Sequence, residues 1–125
     1  MTERTQDYIL PGREMLQETD PDFPHAPLGW SRNEAEQQAK VEGLNLTEHH
    51  WRVIRALQDY FHRHRDDPAI HTRELHDALD EAFHSLGGIR RLYELFPGGP
   101  VAQGCRLAGL PAPPGAADRG FGSVV

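Results

Sequence analysis

The sequence predicts a mainly α fold: a small N-terminal β-hairpin, then about five helices in a compact orthogonal bundle with a flexible C-terminal arm. Three observations carry that expectation. Between Glu48 and His64, Trp51, Ile54, Leu57, Tyr60 and Phe61 recur at helical spacing with Val53 alongside, the stripe a helix buries on one face. Glycine, proline and capping residues cut the remaining chain into segments of helical length. And 125 residues, 38% of them hydrophobic, suffice for one modest core and not for two.

In chain order, Tyr8-Ile9-Leu10 and Met15-Leu16 flank the turn dipeptide Pro11-Gly12, which suits a hairpin over about 8–17. Thr19 to Gly29 holds three prolines and reads as loop, leading to Trp30. Ser31 and Glu34 have capping-box spacing and open a helix over about 32–42, whose apolar residues are Ala35, Ala39 and Val41. Gly43 ends it, and Thr47 is the next N-cap candidate. The stripe above then marks the longest helix, stopped by Asp66-Asp67-Pro68. A third helix over about 72–83 turns Leu75, Ala78, Leu79, Ala82 and Phe83 inward. Gly87-Gly88 breaks it, and a fourth starts near Ile89 and buries Leu92, Tyr93 and Phe96. Pro97-Gly98-Gly99 forbids continuation, Pro100 suits the first turn of a short fifth helix, and Gly109 and Pro111 stop it. The domain is thus 1–111, its helical part 31–109, with 112–125 a flexible tail.

Net charge is −6, with nine acids against four bases in residues 1–46 and ten against nine in 47–125. Such a chain is a poor candidate for nucleic-acid binding, which rests on phosphate neutralisation. The third and fourth helices resemble a helix-turn-helix opened by Arg90 and Arg91, yet Glu74, Asp77, Asp80 and Glu81 would repel phosphate; a DNA-binding regulator ranks last among the readings. No apolar run reaches the length of a membrane span, and no signal-peptide pattern opens the chain, so the expected location is cytoplasmic. Eight histidines invite a metal reading. None forms an i, i+4 pair, and a single cysteine completes no ligand set, so solvated or capping roles are expected, with no metal and no cofactor.

The one cysteine, Cys105, is the only candidate nucleophile of the stretch 95–111. Two readings stand side by side: a small buried hydrophobe, or a thiolate favoured by a helix start and the neighbouring Arg106.

Leu92-Tyr93-Glu94-Leu95-Phe96-Pro97-Gly98-Gly99-Pro100, followed by Gln103-Gly104-Cys105-Arg106-Leu107-Ala108-Gly109-Leu110-Pro111, resembles the C-terminal signature of the DsrC/TusE sulfur-relay family. Leu46 to Ile54, Asp67-Pro68-Ala69-Ile70, Trp30 and the hairpin fall in register with it, so the resemblance covers roughly residues 8–115. It implies a small helical protein that carries sulfur as persulfide or trisulfide between partners, serving tRNA 2-thiolation or dissimilatory sulfur metabolism. It is a carrier in this reading and not a turnover enzyme; the implied partners are sulfurtransferase or sulfite-reductase-type proteins. In the family the principal carrier is a penultimate arm cysteine, and DsrC-type members add a second one in the helix before it. Here Cys105 takes that second place, while Ala116 stands where the arm cysteine would be and the chain continues to Val125. Cys105 is therefore the only possible sulfur acceptor, with Arg106 and Arg91 as candidate thiolate stabilisers. The alternative is a non-catalytic binding or regulatory member that docks on relay partners. The acidic third helix also departs from the family, which commonly carries several basic residues there.

Overall fold

The computed structural model describes residues 20–115. The expected hairpin at 8–17 and residues 116–125 of the tail lie outside them; among the described residues there is no strand. Five helices follow one another: α1 (Arg32–Val41), α2 (Glu48–Arg63), α3 (Thr72–Ala82), α4 (Gly88–Leu95) and α5 (Ala102–Ala108), with a 3-10 turn at His84–Leu86 before α4.

The caps do what their chemistry suggests. Ser31 Oγ accepts from the Glu34 N–H at 3.2 Å, satisfying one of the four donors that a helix start leaves free. Thr47 opens α2 differently: its N–H donates to His50 Nδ1 at 3.0 Å, and its hydroxyl lies 2.8 Å from the same nitrogen. Histidine here takes the place Glu or Gln holds in a capping box. Asp80 Oδ1 accepts from the Ile89 N–H at 2.7 Å and so starts α4.

α2 supplies the centre of the core through Val53, Ile54, Leu57 and Tyr60, joined by Phe23, Leu75, Leu79, Leu92, Leu95 and Phe96. Phe23 brings the Pro-rich loop down onto this core, its ring 5.0 Å from Trp30 and 5.8 Å from Trp51. Three expected inward residues point out; Ala82, the last residue of α3, is exposed, and so are the larger Val41 and Tyr93. Val41 is 81% exposed because it lies two residues, some 200° of helix, beyond Ala39, and Leu44 enters the core in its stead. Tyr93 is 41% exposed: α4 is only two turns long, Leu92 and Leu95 take its inner face, and Tyr93 meets His76 edge-on at 6.1 Å.

His50 is the buried polar joint of the fold. With Nδ1 accepting from Thr47, its Nε2–H donates to the Leu95 carbonyl at 2.7 Å, and Phe96 packs edge-on against the ring at 5.0 Å. The ring thus ties the start of α2 to the end of α4 in one neutral tautomer. Burial holds its pKa below the ordinary value; the Leu95 bond pulls the other way, and the charges of Arg91 and His49 add to the depression. The unfolded imidazole takes up its proton near pH 6.5, so below that pH the unfolded chain binds more protons. The His50 contribution to stability is complete above about pH 6.5 and is lost as pH falls toward the folded pKa. Urea midpoints measured from about pH 7.5 down to about pH 5.5 should therefore fall more steeply in the wild type than in His50→Gln. Equal slopes would show that this imidazole is not what titrates.

After α5 the described chain continues to residue 115. Pro113 is buried, and the Pro114 carbonyl accepts from Thr72 Oγ1 at 2.9 Å, so residues 111–114 run back to the start of α3.

Candidate functional site

Cys105 is the fourth residue of α5. Its N–H donates to the Val101 carbonyl at 2.9 Å, so it lies within the helix ladder and not at the free N-terminal turn. Ala102, Cys105 and Ala108 recur at i, i+3 spacing and are all buried, with Val101 and Leu107 beside them. This inner face packs on α2 closely: a Cβ placed on Gly104 would come within 2.7 Å of Leu57 Cδ1. The thiol is fully buried and free of any disulfide. Burial pushes its pKa up from 9.0 to about 12, and burial is the whole cause.

The two arginines expected beside the thiol are engaged elsewhere. Arg106 follows Cys105 directly, but successive helix positions are about 100° apart, and its guanidinium grips Glu42 in a two-pronged pair, Nε to Oε2 at 3.0 Å and Nη2 to Oε1 at 2.9 Å. Arg91 pairs with Glu94 at 3.1 Å and lies 3.4 Å from His49 Nδ1. The structure therefore brings Cys105 and Arg106 onto one short helix about 100° apart, and places Arg91 in a different set of partners.

Glu42 is the residue that sequence reasoning missed. It caps α1 and receives, besides Arg106, Gln38 Nε2 at 2.6 Å and Gln103 Nε2 at 2.9 Å. Gln103 Oε1 in turn accepts from the Gly98 N–H at 2.9 Å, so the carboxylate is linked through one side chain to the turn that precedes α5. The Arg106 hydrogen bonds hold the Glu42 carboxyl down to about 2, against the opposing effect of burial, with Gln38 and Gln103 assisting. Gln103 and Arg106 share one helix face by their i, i+3 spacing, a visible signal; that the face meets Glu42, 64 positions away from Arg106, has no local signature.

Two further bonds fasten the far end of α5: Trp30 Nε1 donates to the Leu107 carbonyl at 2.8 Å, and Gln58 Nε2 to the Ala108 carbonyl at 3.0 Å. Beside Trp30 and Arg106 opens a groove of about 460 Å³, lined also by Pro27, Leu28, Glu34 and Gln38. Among the described residues no three His, Cys, Asp or Glu side chains are grouped so as to hold a metal ion, and no helix is long and apolar enough to cross a membrane.

Comparison with known proteins places this architecture. The family model described as "DsrC like protein" matches residues 13–116. The chain is 40% identical over 85 residues to the sulfurtransferase TusE of Pectobacterium atrosepticum, covering 67% of this chain and 76% of that protein. It is 36% identical over 106 residues to the sulfurtransferase TusE of Escherichia coli, covering 84% and 94%. Among solved structures, the NMR structure of Allochromatium vinosum DsrC superposes with a TM-score of 0.55 at 39% identity, over 69% of this chain and 76% of that one.

Proposed function

The chain belongs to the DsrC/TusE family, and from that membership we propose that it serves sulfur relay by docking on sulfurtransferase- or sulfite-reductase-type partners, its single thiol closed in the resting protein. The relatives named sulfurtransferase TusE support the relay role. The observation that favours docking over carriage is the fully buried Cys105 thiol, pushed up to about 12. A thiol accepting sulfur attacks as thiolate, taking the outer sulfur of a partner's persulfide while the partner's own thiolate leaves. In the closed protein neither the anion nor a path to it is at hand. Ala116, where the family's arm cysteine would stand, provides no second sulfur.

Two measurements test this. Wild type and Cys105→Ala, used as bait, are expected to recover sulfurtransferase or reductase subunits equally well; a loss confined to Cys105→Ala would overturn the docking reading. Incubated with a low-molecular-weight persulfide donor and weighed intact, the native protein is expected to gain no sulfur. Addition to the wild type but not to Cys105→Ser would restore the carrier reading, in which Cys105 is the acceptor.

A further inference from the structure

We propose that the Glu42 clasp is an autoinhibitory contact: it holds α5 shut over Cys105, and its release lets α5 swing away while the rest of the fold stays intact. Four features of α5 support this. Glycines in left-handed backbone flank the helix, Gly99 at φ 100° ahead of Pro100 and Val101, and Gly109 at φ 78° directly at its C-terminal end, a region other residues enter only with strain. On its packed face the buried apolar side chains are the small Ala102, Cys105 and Ala108 and a single large one, Leu107, so lifting it uncovers less apolar surface than Leu and Phe throughout would. Apart from that face, its C-terminal end is held by single bonds from Trp30 and Gln58. Its outer side is held to Glu42 by three donors, one from Gln103 and two from Arg106, and the Arg106–Glu42 pair is the one ionic pair that fastens α5 among the described residues.

The clasp also lies where a partner can reach it. The Arg106 side chain is 51% exposed and the Glu42 side chain 14%, so the arginine is the half open to competition. A carboxylate on a docking partner that takes over the two-pronged grip of Arg106 would leave Glu42 partly desolvated with only amide donors, and α5 without its ionic anchor. The opened helix would bring the Cys105 thiol into water, where its pKa returns toward the ordinary thiol range. The inference rests on the geometry of α5, not on the docking reading.

The rate at which Cys105 is labelled by an excess of aromatic disulfide reagent reads this opening directly. With the clasp intact, labelling is expected to be slow and nearly independent of low urea, the mark of a local opening. Glu42→Ala is expected to label about ten- to a hundredfold faster, the loss of a charged hydrogen-bond set converted to a population, with Glu42→Gln in between. Equal rates in the three proteins would overturn the proposal. So would a wild-type rate that climbs from the first addition of urea with the full slope of global unfolding, a measurement that stands even if Glu42→Ala does not fold. Loss of partner capture by Cys105→Ala would sink the docking reading and leave the labelling result untouched.

Discussion

Native Cys105 is expected to react with a thiol reagent near pH 8 at least about a thousandfold more slowly than the same residue in the denatured chain. The thiolate is the attacking species, and a rise in pKa from 9.0 to about 12 removes about three decades of it at any pH below both values. Steric closure adds to this, because Gly104 lies so tightly on Leu57 that no probe enters between α5 and α2 without moving one of them. The neighbouring arginine gives no relief, its guanidinium being bound to Glu42 and turned away from the thiol's inner face. The measurement is the ratio of labelling rates in buffer and in strong denaturant. Comparable rates would mean that the sulfur is open to solvent and that the packing of α5 described above is not the resting state.

Phe96→Ala is expected to cost about 3–5 kcal/mol, as large aromatic-to-alanine changes do in full cores. Phe96 is completely buried and does three things at once. Its ring packs edge-on against the His50 imidazole; its N–H closes α4 on the Leu92 carbonyl at 2.9 Å; and its carbonyl accepts from Gly99 at 2.8 Å, shaping the turn into α5. Alanine keeps the backbone bonds and leaves a void between α2 and α4 beside the one buried imidazole. Set against the 5–15 kcal/mol typical of native proteins, that is a large share of the whole. Urea unfolding should show the midpoint fall with little change in slope. Tyr93→Ala, three residues upstream on the exposed side, should shift the midpoint by less than about 1 kcal/mol. A Phe96→Ala effect no larger than that would place the ring outside the core.

Much of this fold is legible in the chain itself. Ser31, Thr47 and Gly109 mark helix ends because each solves a local problem of unpaired backbone groups or handedness, and local problems leave local signatures. The stripe from Trp51 to Phe61 marks α2 because sixteen residues span enough turns for the period to declare itself. α4 is half that length, too short for its period to tell Tyr93 from Leu95. His50 and Gln58 are polar residues on the inner stripe, and it takes distant partners, the carbonyls of Leu95 and Ala108, to receive their buried N–H groups. The site was harder to read. Adjacency in sequence set Cys105 beside Arg106, whereas helix geometry turns them apart; the i, i+3 row of Ala102, Cys105 and Ala108 was the signal for burial. Glu42 gave no signal, since its significance arises from a meeting of α1 and α5 across the fold.

The bond from the Trp30 indole to the Leu107 carbonyl has a practical consequence. A tryptophan whose ring nitrogen is fastened to one helix reports that helix's position through its emission, so this protein carries a built-in optical gauge of α5. Trp51, the only other indole in the chain, sits on α2 against Phe23; with it changed to phenylalanine, the fluorescence would come from the gauge alone, and no dye need be attached to watch the helix move.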